Sequence, residues 1–141
     1  MKNIINEIKV RITINNYCTE IARSVITSFL APYNYPPYEL ADVRCSVGEA
    51  VANCAIHAYK VSSEKDYIYI SARLYDNNKF SIEISDNGCG FDTSIFARNE
   101  KGMGFFVMQN FMDSVSVKSK IGKGTTVLMR KSFNKESEDT E

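Results

Sequence analysis

The chain lacks an excess of charge of either sign. Its 141 residues include 17 lysines and arginines and 17 aspartates and glutamates, so its formal net charge is zero. A protein that binds nucleic acid or an anionic membrane by electrostatic attraction carries a basic excess. We therefore expect a protein that makes no direct contact with nucleic acid or membrane.

The sequence also lacks the signals of secretion and membrane insertion. No apolar run approaches the roughly 20 residues that span a bilayer, and residues 1–10 alternate charged and apolar side chains instead of forming a signal-peptide core. The four cysteines, at positions 18, 45, 54 and 89, include no Cys-x-x-Cys pair and no metal-ligand spacing. Free thiols and a cytoplasmic location are the expectation.

What is present is a clear hydrophobic periodicity. Ile8 to Ile14 alternates apolar and polar residues as a half-buried strand does. Helical spacing follows from Tyr17 to Leu30, with Ile21, Val25 and Phe29 four residues apart. A second helix is predicted from about Tyr38 to Tyr59, and its inner side would carry Leu40, Val43, Val47, Val51, Cys54 and Ala58.

The remaining pattern predicts two hairpins and one short helix. The hairpin strands are Ile68–Leu74 with Phe80–Ile84 and Ser114–Lys118 with Thr125–Lys131, and the helix runs from about Met103 to Phe111. We predict an α+β two-layer sandwich, in which a mixed, mostly antiparallel sheet carries helices on one face. Residues 1–133 would form one domain, and residues 134–141 a disordered tail.

Two polar residues of the second helix form a candidate site. Glu49 and Asn53 are four residues apart and therefore project from the same helix face. The asparagine offers a neutral oxygen to Mg²⁺, which takes only one or two protein ligands beside nucleotide phosphates. The glutamate could deprotonate an attacking hydroxyl or water. Taken alone, the pair is better explained as a solvated polar face with a hydrogen bond between residues four apart.

A glycine loop follows the predicted strand that ends near Ile84. Asp86 opens the sequence Asp86-Asn87-Gly88-Cys89-Gly90, and its carboxylate could accept a hydrogen bond from the exocyclic amine of adenine. Gly88 and Gly90 would allow a sharp turn and the close approach of a flat base. The alternative is an ordinary Asp-Asn-Gly turn.

A second glycine cluster lies fourteen residues after Gly88. Gly102-Met103-Gly104 precedes the short helix, where free backbone N–H groups and the helix dipole favour anions. Lys101 and Arg98 would add positive charge beside phosphates. Gly124-Thr125-Thr126 is either a hairpin turn or a supplier of a hydroxyl beneath the base. Each motif is ambiguous by itself, but their order and spacing together are much less so.

This ordered set resembles the GHKL ATPases, and in particular the bacterial anti-sigma factors that are also serine-protein kinases. The resemblance extends from about Ile8 to Lys131. It is most specific in Glu49-Ala50-Val51-Ala52-Asn53 and in Gly102-Met103-Gly104-Phe105. It implies a Bergerat-type fold that binds ATP or ADP together with Mg²⁺.

The resemblance also implies a role for each candidate residue. Glu49 would be the catalytic base, Asn53 would hold Mg²⁺, Asp86 would read adenine and Thr126 would support the base. The rest of the nucleotide pocket would comprise Gly88, Gly90, Lys101, Gly102, Met103 and Gly104. Arg23 matches an arginine that family members use to contact partners, although a solvated arginine on the first helix explains it equally well.

Proteins of this family typically dimerise, clamp a sigma factor and phosphorylate a serine on a small antagonist. A sigma factor, a serine-bearing antagonist and a second copy of the chain are therefore the expected partners. The alternative is a non-catalytic regulator whose nucleotide site is vestigial or purely structural. The nine residues from Thr93 to Lys101 favour that alternative, because the family's lid is longer. Retention of both Glu49 and Asn53 favours the kinase.

Overall fold

A computed structural model describes residues 3–58, 67–88 and 103–134. Within these ranges lie five strands, namely β1 (Ile4–Thr13), β2 (Tyr67–Tyr75), β3 (Lys79–Asp86), β4 (Ser114–Lys120) and β5 (Gly124–Ser132). The same ranges contain three α-helices, namely α1 (Cys18–Leu30), α2 (Pro37–Ala58) and α3 (Met103–Phe111), and a 3₁₀ turn at Ala31–Tyr33. Every element predicted from periodicity is present among these, with ends that differ by a few residues.

The strands form one sheet in the order β1-β2-β3-β5-β4. Every pairing among the described strands is antiparallel, so the parallel component expected of a mixed sheet is not found there. Short turns explain this for β2 with β3 and for β4 with β5, since parallel neighbours need a longer crossover connection. The register aligns one apolar row across all five strands, comprising Val10, Ile70, Ile84, Val127 and Val117.

The core lies between this face of the sheet and the helices. The alternate residues Phe80, Ile82 and Ile84 of β3 are buried, as are Val127 and Met129 of β5. The opposite face of the sheet carries charged side chains, among them Lys9 of β1, Arg73 of β2 and Glu83 of β3. The α+β two-layer architecture is therefore confirmed.

The second helix buries the stripe that its spacing predicts. Val43, Val47, Val51 and Cys54 are each at most 1% exposed, and Leu40 is half-buried. The side chain of Ala58 lies outside the described residues.

The buried stripe of α1 is offset by one residue from the predicted one. Cys18, Ala22 and Ile26 are buried, whereas Ile21 is 44% exposed. Phe29 is buried as predicted. The i,i+4 spacing of large apolar residues pointed to Ile21, but the face of α1 that is turned to the core carries Cys18, Ala22 and Ile26.

The first strand is less buried than its alternation suggests. Of Ile8, Val10, Ile12 and Ile14, only Ile12 is buried and the others are half-buried. The side chains of β1 are less buried because β1 is an edge strand that the helix layer covers only in part.

The end of β5 is tied back to the start of α2. Phe133 stacks on Tyr35 with ring centroids 4.1 Å apart. The Asn134 backbone N–H donates to Glu39 Oε1 at 2.8 Å, and Glu39 is buried. Asn134 was predicted to begin the tail but is anchored here, and residues 135–141 lie outside the described part of the chain.

Candidate functional site

Glu49 and Asn53 face the first turn of α3. Both side chains are half-buried at the border of the buried stripe of α2. A Cβ atom added to Gly104 would lie 2.6 Å from Glu49 Oε2 and 3.7 Å from Asn53 Nδ2. The absence of a side chain at Gly104 therefore lets α3 approach these two polar groups. The structure thus brings together residues that are about fifty positions apart in the sequence.

Asp86 ends β3 on the helix-facing side of the sheet. It is 7% exposed, and its Oδ1 accepts a hydrogen bond of 2.7 Å from the Gly88 backbone N–H. Strand alternation explains the burial, because Asp86 continues the series Ile82 and Ile84. The Asp86 carboxylate therefore stabilises the turn predicted at Gly88 through this hydrogen bond. It also lies on the face of the sheet that a ligand between sheet and helices would contact.

Gly124 lies directly against the backbone of Asp86. Its φ is +86°, a conformation that favours glycine. A Cβ added there would overlap the Asp86 carbonyl oxygen and lie 3.0 Å from Asn87 Cα. Gly124 is therefore required for the close approach of β5 to the end of β3.

The structure assigns the threonine of this region to a different position from the predicted one. Thr125 pairs with Asp86 across the strands, whereas Thr126 pairs with Ser85. Directly opposed residues share a face of the sheet, so Thr126 lies on the face away from Asp86, and the role predicted for Thr126 at the base falls by geometry to Thr125, which remains a prediction. Thr125 is buried, and its Oγ1 lies 2.8 Å from Ser119 Oγ. The alternation through Val127 and Met129 was the signal that identifies Thr125.

Arg23 lies across α2 beside the site. Its guanidinium covers Gly48, whose missing side chain leaves room for it, and Nη1 donates to Glu20 Oε1 at 2.7 Å. The side chain is 32% exposed. Arg23 therefore connects α1 to the residue that precedes Glu49 and is not a freely solvated arginine, and its role in partner contact stays a prediction.

Several predicted site residues lie outside the described part of the chain. These are Gly90, Lys101 and Gly102, together with the linker from Thr93. Met103 begins α3, but its side chain is not described.

The described residues contain no group of three or more His, Cys, Asp or Glu side chains arranged to hold a metal. Within the same ranges, no helix is both long and apolar enough to cross a membrane. Among the described residues, Cys18, Cys45 and Cys54 are not joined in disulfides, and Cys89 is outside them.

Solved structures share this fold at low sequence identity. The RsbU and RsbW domains of a Mycobacterium tuberculosis protein align with a TM-score of 0.72 and 16% identity, covering 91% of this chain and 32% of that one. A chain of the SiaB–SiaC complex from Pseudomonas aeruginosa aligns with a TM-score of 0.65 and 12% identity, covering 92% and 90% of the two chains.

Sequence comparison is more specific. The family model of the histidine kinase-like ATPase domain matches residues 15–131. An anti-sigma F factor of Caldanaerobacter subterraneus subsp. tengcongensis is 41% identical over 120 residues, which cover 78% of this chain and 82% of the relative. An anti-sigma F factor of Clostridium perfringens is 36% identical over 123 residues, covering 80% and 86%. The chain therefore carries a nucleotide-binding domain of the histidine kinase-like ATPase family and belongs, within that family, to the anti-sigma F factors.

Proposed function

We propose that this protein is an ATP-dependent anti-sigma factor that sequesters a sigma factor and phosphorylates a serine of an antagonist protein. The observation that carries the proposal is the convergence of Glu49 and Asn53 on the first turn of α3 at Gly104. A regulator that only clamps its partner needs neither a base nor a metal ligand at this position. Glu49 and Asn53 would supply these two groups, and both are half-buried beside a helix N-terminus that favours phosphate.

The adenine would lie against Asp86 and Thr125, which together form the sheet half of the site. The Asp86 carboxylate is an acceptor that suits the exocyclic amine of adenine and that guanine, with a carbonyl at the same position, does not satisfy. Thr125 shares its face and supplies a buried hydroxyl. The bare backbone at Gly124 keeps these two groups adjacent.

Asn53 would hold Mg²⁺ through its side-chain oxygen. The residue fits this ion, because Mg²⁺ prefers oxygen ligands and takes few of them from the protein when phosphates and water supply the rest. When bound, the ion would neutralise negative charge that develops on the transferred phosphoryl group.

Glu49 would act on the serine of the antagonist. The serine oxygen attacks the γ-phosphorus of ATP, the bond from that phosphorus to the β–γ bridging oxygen breaks, and ADP leaves. The proton of the serine hydroxyl passes to the Glu49 carboxylate. The position of Glu49 Oε2 supports this role, since the carboxylate lies in the space that a side chain at residue 104 would fill, at the N-terminal end of α3 where the γ-phosphate is expected.

The partners follow from the family. Its members in Caldanaerobacter and Clostridium are anti-sigma F factors by name, which supports a sigma factor as one partner. A serine-bearing antagonist is the second partner and a second copy of the chain the third. Arg23 of α1, whose guanidinium covers Gly48 beside Glu49, is a candidate for contact with a partner that must reach the site. We propose that all of this takes place in the cytoplasm.

Transfer of labelled phosphate from ATP to a cognate antagonist tests the proposal. Glu49→Gln should retain Mg·ATP binding by calorimetry and abolish transfer. Glu83→Gln is the matched control, because Glu83 is exposed on the opposite face of the sheet. Adenine-selective binding without transfer by the unmodified protein would instead establish the non-catalytic regulator. Normal transfer by Glu49→Gln would remove Glu49 from the mechanism.

A further inference from the structure

Lys131 is a buried lysine that the site described above does not use. It lies on the helix-facing side of β5 and is 7% exposed. Its Nζ donates to the Phe111 backbone carbonyl at 2.6 Å and lies 3.7 Å from Asp42 Oδ2. Lysine is rarely buried to this extent, because desolvation of an ammonium group is costly unless it finds partners. The partners here lie on two different helices, α3 and α2.

The acceptor at Phe111 is chemically well suited to an ammonium group. Phe111 is the last residue of α3, and the last four carbonyl groups of a helix have no partner within the helix. The negative end of the helix dipole lies at the same place. Lys131 therefore caps the C-terminus of α3 with a charge of the favourable sign.

Further bonds attach the same end of α3 to β5. The Asp113 backbone N–H donates to the Arg130 carbonyl oxygen at 2.9 Å. The Asp113 Oδ2 atom accepts from the Ser132 backbone N–H at 2.6 Å. Together with the Lys131 bond, these contacts hold the carboxyl end of α3 against one strand.

The two ends of α3 lie near two residues of α2 that are separated by the same distance along their helix. Asp42 and Glu49 are seven residues apart on α2, and Gly104 and Phe111 are seven residues apart on α3. At a rise of 1.5 Å per residue, each separation is about 10.5 Å. The helices run antiparallel, so Phe111 lies near Asp42 through Lys131, while Gly104 lies against Glu49. A contact that fixes one end of α3 therefore fixes the other.

We infer that Lys131 is a positioning residue that sets the axial register of α3 on α2. By this means it holds the first turn of α3 against Glu49 and Asn53. A shift of α3 by a single residue would displace that turn by about 1.5 Å, enough to misalign groups that must meet a phosphate. The consequence for nucleotide rests on the function proposed above, whereas the register of α3 does not.

The experiment compares Lys131→Met with Lys131→Arg and with Lys79→Met, in which an exposed lysine of β3 undergoes the same change. Backbone hydrogen exchange over residues 103–111 is measured first, without nucleotide. Calorimetric titrations with Mg·ATP and with adenosine follow. Adenosine is informative because it reports the sheet half of the site and carries no phosphate for α3 to contact.

In Lys131→Met, amide exchange in α3 should be about tenfold faster than in Lys79→Met. Affinity for Mg·ATP should fall about tenfold, adenosine affinity should change less than about twofold, and Lys131→Arg should recover most of the loss. Unchanged α3 exchange would overturn the inference whether or not nucleotide binds. Equal losses for ATP and adenosine would also overturn it, since they would make Lys131 a residue of general stability. Failure of the unmodified protein to bind either ligand would refute the proposed function instead.

Discussion

Gly122 and Gly124 provide a matched test of how the sheet half of the site is built. Gly122 lies in the turn between β4 and β5, Gly124 begins β5, and the two have nearly the same positive φ, +85° and +86°. An alanine at either position should therefore destabilise the folded state by the same backbone strain, about 1–2 kcal/mol. Their surroundings differ, because no atom lies within 4 Å of a Cβ added to Gly122, whereas a Cβ on Gly124 would overlap the Asp86 carbonyl oxygen.

Gly124→Ala cannot relieve this overlap by moving a flexible side chain. The obstructing atoms belong to the backbone of Asp86 and Asn87, so β5 must withdraw from the end of β3. That shift separates Thr125 from Asp86 and would disturb the hydrogen bond that we propose between the Asp86 carboxylate and adenine. The loss of one such hydrogen bond costs about 1.5–3 kcal/mol, which is roughly tenfold to a hundredfold in nucleotide affinity.

Urea unfolding and calorimetric titration with Mg·ATP measure the two effects. Gly122→Ala should lose about 1–2 kcal/mol of unfolding free energy, through strain alone, and retain its affinity for ATP. Gly124→Ala should lose more stability and at least about tenfold in affinity. If the two variants prove equal in both measurements, the close approach of Gly124 to Asp86 does not support the site and the reasoning is refuted.

Three further predictions concern the threonines of β5, Gly104 and Tyr35. Thr125→Val should weaken ATP binding about tenfold and Thr126→Val should leave it unchanged, and the reverse result in a titration would restore the original assignment. Gly104→Ala should slow phosphate transfer with little change in stability, because the crowded atom is the mobile carboxylate of Glu49, and normal transfer rates would contradict this. Burial, and to a lesser extent the neighbouring Tyr33, raises the pKa of Tyr35 above its ordinary value of 10.0. Because the folded state favours the protonated phenol, this stability is present below pH 10 and is lost as the pH rises through the folded pKa, so unfolding followed above pH 10 should show a drop that Tyr35→Phe reduces.

The sequence predicted most of the fold because each element has an uninterrupted period. The alternation in Phe80, Ile82 and Ile84 identifies β3 and its buried face, and the same period extended by two residues places Asp86 on that face. Motif spacing predicted Glu49 and Asn53 on one side of α2, and they do face a common neighbour. Local pattern was sufficient where the answer depended on one element.

Where the answer depended on how elements meet, local pattern was misleading. In α1, the large side chain of Ile21 was expected in the core, but the helix buries the smaller Ala22 and leaves Ile21 44% exposed. The motif predicts Thr126 as the residue that supports the base, whereas the pairing of β5 with β3 places Thr125 opposite Asp86. Nothing near Lys131 in the sequence indicates that its ammonium group reaches Phe111, twenty residues away.

The candidate site has two halves that different parts of the fold hold in place. Asp86 and Thr125 are fixed by strand register, through the pairing of β3 with β5. Glu49 and Gly104 are fixed by the packing of α3 on α2. A change in helix register therefore alters the phosphate half without disturbing the half that reads the base. Binding and transfer should be separable as a result, so that variants of the helix pair retain adenine selectivity while they lose phosphate transfer, and variants of the sheet half lose both.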